Sequence, residues 1–131
     1  MDVLDEYMKE LSVDTCIDEF TMKDVQMKLP AIKHKWAGRL IRSKIEISKL
    51  EKKKHAIVDA AVKQLIEQSP VKLSVPLARN RVEDLEAVVA VKEEIVNLKL
   101  IIEFLEKVER ILNSMTFDIK NLTEIMKLEL Q

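Results

Sequence analysis

Apolar side chains recur along this chain at three- and four-residue steps, the period of an α-helix. Val3, Leu4, Tyr7, Met8 and Leu11 predict a short amphipathic helix over residues 2–12. Val13 to Phe20 reads as a connection in which Asp14 and Asp18 suit cap or turn positions. Thr21 followed by Asp24 resembles a capping box, with Asp in place of the usual Glu, and opens a short turn through Met27. Leu29 precedes Pro30, which biases Leu29 away from helix and suits Pro30 to a first helical position.

From Ala31 a long helix is predicted to about Gln68. Trp36, Leu40, Ile47, Leu50, Ile57, Ala61 and Leu65 form its apolar face. Roughly a quarter turn away, Lys35, Arg39, Arg42, Glu46, Lys49 and Lys53 fall within about 40° of one line. Packing the apolar face therefore fixes where the basic stripe points. Gly38 weakens the helix locally without ending it.

Pro70 and Pro76 break the pattern over Ser69 to Leu77, and Asn80 followed by Glu83 is a cap and capping box for a second long helix. Val88, Val91, Ile95, Leu98, Ile102, Leu105 and Leu112 form a coiled-coil seam there, interrupted by Glu109. Ile101, Phe104, Val108, Ile111 and Met115 form a second seam roughly 110° from the first. Two offset seams suit a bundle or closed ring in which each helix meets neighbours on both sides. Equally, the second seam can pack inside the subunit against the first long helix. Asn113, Ser114 and Thr116 loosen the chain, and Phe117 to Leu130 reads as a last helix.

Composition narrows the class. One Gly and three Pro in 131 residues are too few for a many-turned β-sandwich or barrel, and the abundance of Leu, Ile, Val, Lys and Glu suits long helices. The single cysteine, Cys16, excludes an internal disulfide and fits a reducing cytosol. No apolar run reaches membrane-spanning length, and the acidic start has no signal-peptide core, so a soluble intracellular protein is expected.

The net charge of −1 hides an asymmetry. Residues 33–63 hold ten basic side chains against three acidic ones, a net +7. The segment before them is −5 and the segment after is −3. A Lys/Arg-lined helix can track a nucleic-acid backbone and gain affinity from counterion release, or it can simply be a solvated face. Trp36 could stack on a base, but its place on the apolar side favours burial. Binding would then come from phosphate contacts indifferent to sequence, and several stripes held in one ring would reinforce each other.

Enzyme chemistry finds little support. A single glycine cannot build a phosphate-cradling loop or a dinucleotide fingerprint. Cys16, His34 and His55 have no metal-ligand spacing, and no orienting group accompanies a Cys–His pair. No cofactor, metal or catalytic residue is expected.

Several stretches carry a family resemblance: Ile17-Asp18, Leu29-Pro30-Ala31-Ile32-Lys33-His34-Lys35-Trp36 with the Lys-rich helix after it, Val91-Lys92-Glu93-Glu94-Ile95 to Leu105, and Asn113-Ser114-Met115-Thr116-Phe117-Asp118-Ile119-Lys120-Asn121-Leu122. In order and separation they resemble the UvsY-type recombination mediators of tailed bacteriophages over nearly the whole chain, least across residues 70–77. The resemblance implies a non-enzymatic accessory factor of homologous recombination, and of recombination-dependent replication and repair. It implies a ring-like homo-oligomer, hexamer or heptamer, that binds single-stranded DNA without sequence preference. Such a protein helps load a UvsX-type recombinase onto strands coated by the phage single-strand-binding protein, in the cytoplasm of the infected host. Relatives continue basic and aromatic residues to the end of the DNA-binding helix. Here those positions read Asp59-Ala60-Ala61-Val62-Lys63-Gln64-Leu65-Ile66, which places the site earlier.

The expectations are then definite. The fold is all-α, two long helices plus short N- and C-terminal ones. It is organised as residues 1–68, a connection over 69–79, and oligomerisation helices over 80–131. Lys33, Lys35, Arg39, Arg42, Lys49, Lys52, Lys53 and Lys54 bind nucleic acid. Val88, Val91, Ile95, Leu98, Ile101, Ile102, Phe104, Leu105, Val108, Ile111 and Leu112 close the assembly. The rival expectation is an oligomeric helical scaffold whose stripe binds an acidic protein and no DNA.

Overall fold

The computed structural model describes residues 2–131. Those residues form four helices and no strand: α1 (Val3–Asp14), α2 (Met22–Gln68), α3 (Val75–Val82) and α4 (Glu86–Leu130). The all-α expectation, with two long helices, holds. The chain divides into two compact units. The segments through Arg42 and from Ile101 make one, and Ser43–Leu100 makes the other.

In the first unit, Asp2 caps α1 by accepting a hydrogen bond from the Leu4 amide, and Asp5 and Glu6 sit in the first turn where the helix dipole favours acids. At the other end the Thr15 hydroxyl and amide both donate to the Leu11 carbonyl. A turn then follows in which the Asp18 carboxylate accepts from the amides of Phe20 and Thr21. These amides hold the Asp18 carboxyl below its ordinary pKa, with the Thr21 hydroxyl adding to them.

The next segment departs from the capping box and helix start that the sequence pattern predicts. Thr21 turns its hydroxyl back to Asp18, while Asp24 pairs with Lys28 one turn along the helix. The long helix begins at Met22, nine residues ahead of Ala31, and runs through Pro30. A proline inside a helix costs about 3 kcal/mol in isolation. Packing outweighs it: Leu29 is buried, and Met22, Val25 and Ile32 pack on the same cluster. Pro30 itself stays on the exposed side.

That cluster comprises Leu11 of α1, Leu29, Trp36 and Leu40 of α2, and Leu105, Val108, Leu112, Met115 and Ile119 of α4. It also explains why α4 does not break at residues 113–116. Met115 faces the core, whereas Asn113, Ser114 and Thr116 are exposed and give up only a few tenths of a kcal/mol each in propensity. The expected separate C-terminal helix is the last part of α4.

In the second unit, Val58 and Val62 of α2, Ala78 and Val82 of α3, and Val88 of α4 form the core. The stretch read as a connection contains α3. Ser74 caps it through the Leu77 amide, and Pro76 stands in its first turn, where a missing N–H is harmless. Asn80 therefore lies inside a helix and caps nothing, and α4 starts at Glu86. The Leu85 amide donates to the Val82 carbonyl across the turn between the two helices, and Lys92 pairs with Glu83.

Candidate nucleic-acid interface

The basic residues of α2 fall into two groups with different surroundings. In the first unit, Arg39 is gripped by Glu10 of α1, with Nη1 to Oε2 at 2.5 Å and Nη2 to Oε1 at 3.2 Å. Lys35 Nζ reaches Asp14 Oδ2 at 2.6 Å and Glu10 Oε1 at 3.1 Å. The Trp36 indole donates to the same Asp14 oxygen at 2.9 Å.

The local sequence makes this arrangement. On α1, Tyr7, Glu10, Leu11 and Asp14 share an arc of about 100°, so seating Tyr7 and Leu11 in the core brings both acids onto α2. Trp36 is only 2% exposed and meets Tyr7 edge-on at 5.5 Å and Phe104 at 6.4 Å. The Arg39 guanidinium lies 4.7 Å from the centroids of both Tyr7 and Trp36. Trp36 is thus a core residue with its one polar atom satisfied, and it offers no face to a base.

Electrostatics follow the geometry. The hydrogen bond from Arg39 holds the Glu10 carboxyl below its ordinary pKa, against partial burial and with help from Lys35. Burial pulls Lys35 down, but its bonds to Asp14 and Glu10 win and leave it raised; Arg39 is raised chiefly by Glu10. Lys33 is half-buried and donates to the Thr116 hydroxyl at 3.0 Å.

Arg42 is exposed, and its guanidinium leans back over Gly38. In the second unit Lys49, Lys52 and Lys53 are exposed. None of these four cations makes an ion pair among the described residues. Lys54 differs: a whole number of turns beyond Trp36, it lands on the apolar side and is half-buried. Of the eight residues expected to meet phosphate, Arg42, Lys49, Lys52 and Lys53 are open to a ligand as they stand.

The residues expected to close an assembly are mostly covered by this chain. Val88, Val91, Ile95, Leu98, Leu105, Val108 and Leu112 are buried, Ile101, Ile102 and Phe104 are partly buried, and Ile111 is exposed. The first seam packs on α2 and α3 of its own chain at Val88, and on α1 and α2 at Leu105 and Leu112. Its period identified a packed face but could not say which chain packs on it. Val89, Val96 and Leu100 are exposed in the second unit and share one side of the α4 helical wheel. A hollow of about 340 Å³ opens there over Val89, Lys92, Glu93, Val96 and Asn97.

Among the described residues no three His, Cys, Asp or Glu side chains gather as metal ligands, Cys16 is exposed, and no helix is long and apolar enough to cross a membrane.

The fold has solved counterparts. One crystal structure of the bacteriophage T4 recombination mediator protein UvsY superposes with a TM-score of 0.85, covering 98% of this chain and 99% of that one. Another, in a different lattice, gives 0.84 over 100% and 99%. Both are 16% identical in sequence, so what is shared is the fold. By sequence the chain matches no family model and no curated protein.

Proposed function

We propose that this protein is a recombination mediator, an accessory factor with no catalytic step of its own. It binds single-stranded DNA through phosphate contacts, helps load a UvsX-type recombinase onto strands coated by single-strand-binding protein, and stabilises the resulting filament. The observation that carries the reading is the end-to-end likeness of fold to the T4 mediator. The open cations Arg42, Lys49, Lys52 and Lys53 supply the chemistry: point charges and a planar fork that take phosphate, while the buried Trp36 offers no face on which a base could stack. Copies assemble into a closed ring of six or seven subunits. The exposed apolar line of Val89, Val96 and Leu100 supplies surface that the buried seams do not.

The test is fluorescence anisotropy with labelled oligothymidylate across a salt series, alongside native mass spectrometry. Expected are closed oligomers and an affinity that falls steeply with salt, by about 0.7 in log–log slope for each phosphate neutralised. An affinity indifferent to salt, or a solitary chain in solution, would overturn the reading.

One observation favours a second reading. Lys35 and Arg39 already bind carboxylates, so a stripe that binds an acidic protein is chemically consistent. That scaffold binds no oligonucleotide at moderate salt, and the same titration separates the two.

A further inference from the structure

Arg39 meets Glu10 through two parallel N–H to oxygen bonds, the geometry in which a guanidinium also takes phosphate. Lys35 is held between two carboxylates at 2.6 and 3.1 Å. Both cations remain partly reachable, with side chains 21% and 33% exposed, so they are masked by charge more than by burial. We propose that α1 is an acidic gate on the stripe: Glu10 and Asp14 stand where backbone phosphates would sit on Arg39 and Lys35, and while ionised they keep a strand off both cations. The inference rests on the single-strand-binding reading above and adds its regulation.

The segment that carries the two acids suits this role. Residues 1–32 have a net charge of −5, which sets negative charge against the +7 of residues 33–63 and lessens its pull on a polyanion. α1 is meanwhile latched by Leu11 and Tyr7 in the core and by the indole–Asp14 bond. Neutralising the acids therefore opens the cations without releasing the helix. The gate sets a ceiling on how tightly one subunit holds a strand, which suits a protein that must pass the strand on.

The experiment compares the wild-type chain with Glu10→Gln/Asp14→Asn, both shown to be folded by circular dichroism, in the oligothymidylate salt titration. Glutamine and asparagine keep acceptors for Arg39, Lys35 and Trp36 but carry no charge. The gate predicts about tenfold tighter binding at low salt and a slope steeper by up to about 1.4, two phosphates' worth. Arg39→Gln and Lys35→Gln in the wild-type background should leave the slope unchanged, and in the neutralised background should erase the gain. A slope that falls when Arg39 alone is removed from the wild type overturns the gate, whether or not the neutralised variant folds. So does an unchanged slope in a folded neutralised variant. If the wild type itself ignores oligothymidylate at low salt, the single-strand-binding reading fails and the gate with it.

Discussion

The two ends of the basic stretch carry the same residue types in opposite circumstances. Around residues 35–39 the cations are clasped by carboxylates and lie beside a tryptophan that is almost wholly buried. Around residues 49–53 Lys49, Lys52 and Lys53 point to solvent with no acidic partner among the described residues. Charge counting treats these groups as one island, yet only the second is unengaged in the fold. A cation's availability is set by what packs against its neighbours three and four residues away.

The sharpest way to break that contrast is to remove what organises the first group. Trp36→Ala deletes the largest fully buried side chain, and such a deletion costs about 3–5 kcal/mol. Thermal or urea unfolding should show a loss of that order. A loss under about 1 kcal/mol would mean that the clasp does not depend on the aromatic cluster.

Asp14→Ala should cost less, about 1–3 kcal/mol, because it leaves the buried indole N–H without its acceptor and takes a carboxylate from Lys35. Asp14→Asn, which keeps an acceptor, should recover most of that loss in the same unfolding measurement.

Much of the architecture is legible in the sequence, and the misplaced helix boundaries share one cause. The helical period, the seams and the burial of Trp36 could be read because each is a local pattern. Pro30, a local breaker, places the start of α2 at Ala31, whereas Leu29, Val25 and Met22 hold the helix together through contacts with distant residues. Asn80 and residues 113–116 misled in the same way, local cap and loop signals overridden by the cores to which Ala78, Val82 and Met115 belong. The clasp was invisible for a different reason. Glu10 and Asp14 pair with residues 21 to 29 positions away, and only the shared arc with Tyr7 and Leu11 hinted that the acids flank a buried face.

Acid should loosen the clasp gradually. Glu10 has a lowered pKa in the folded chain, so its contribution is complete above the ordinary glutamate value of about 4.3 and is lost as pH falls through the lower folded value. Lys35 and Arg39 are raised, so their contribution is complete below the ordinary values and is lost only as pH rises through the folded ones. The stability difference between the wild type and Glu10→Gln should therefore be flat near neutrality and shrink below about pH 4. A difference that instead vanished between pH 6 and 8 would point to a group other than Glu10.

Gly38 lies inside α2, and no residue of the described chain has the positive φ that would require glycine. A Cβ there would meet only the Arg42 guanidinium, at 3.5 and 4.0 Å, an ordinary contact. Gly38→Ala should raise stability by about 0.5–1 kcal/mol. If it lowers stability, Arg42 is held in place more firmly than its exposure suggests.

The smallest effect on stability is also the one that most tightens the contrast. Lys49→Ala/Lys52→Ala/Lys53→Ala removes three exposed cations that no carboxylate of the described residues holds, and exposed substitutions of this kind stay within about 0.5 kcal/mol each. Alanine's helix propensity and the relief of repulsion between Lys49 and its neighbours one turn on, Lys52 and Lys53, offset any lost contact of the lysine stems. The midpoint of thermal unfolding should hardly move, while the salt slope for oligothymidylate should fall by up to about 2.1, three phosphates' worth. Lys54 is left out because its stem is half-buried, so truncating it would mix packing with charge. A triple variant as unstable as Asp14→Ala would show that these lysines, like Lys35 and Arg39, serve the fold, and the two ends of the stretch would no longer differ.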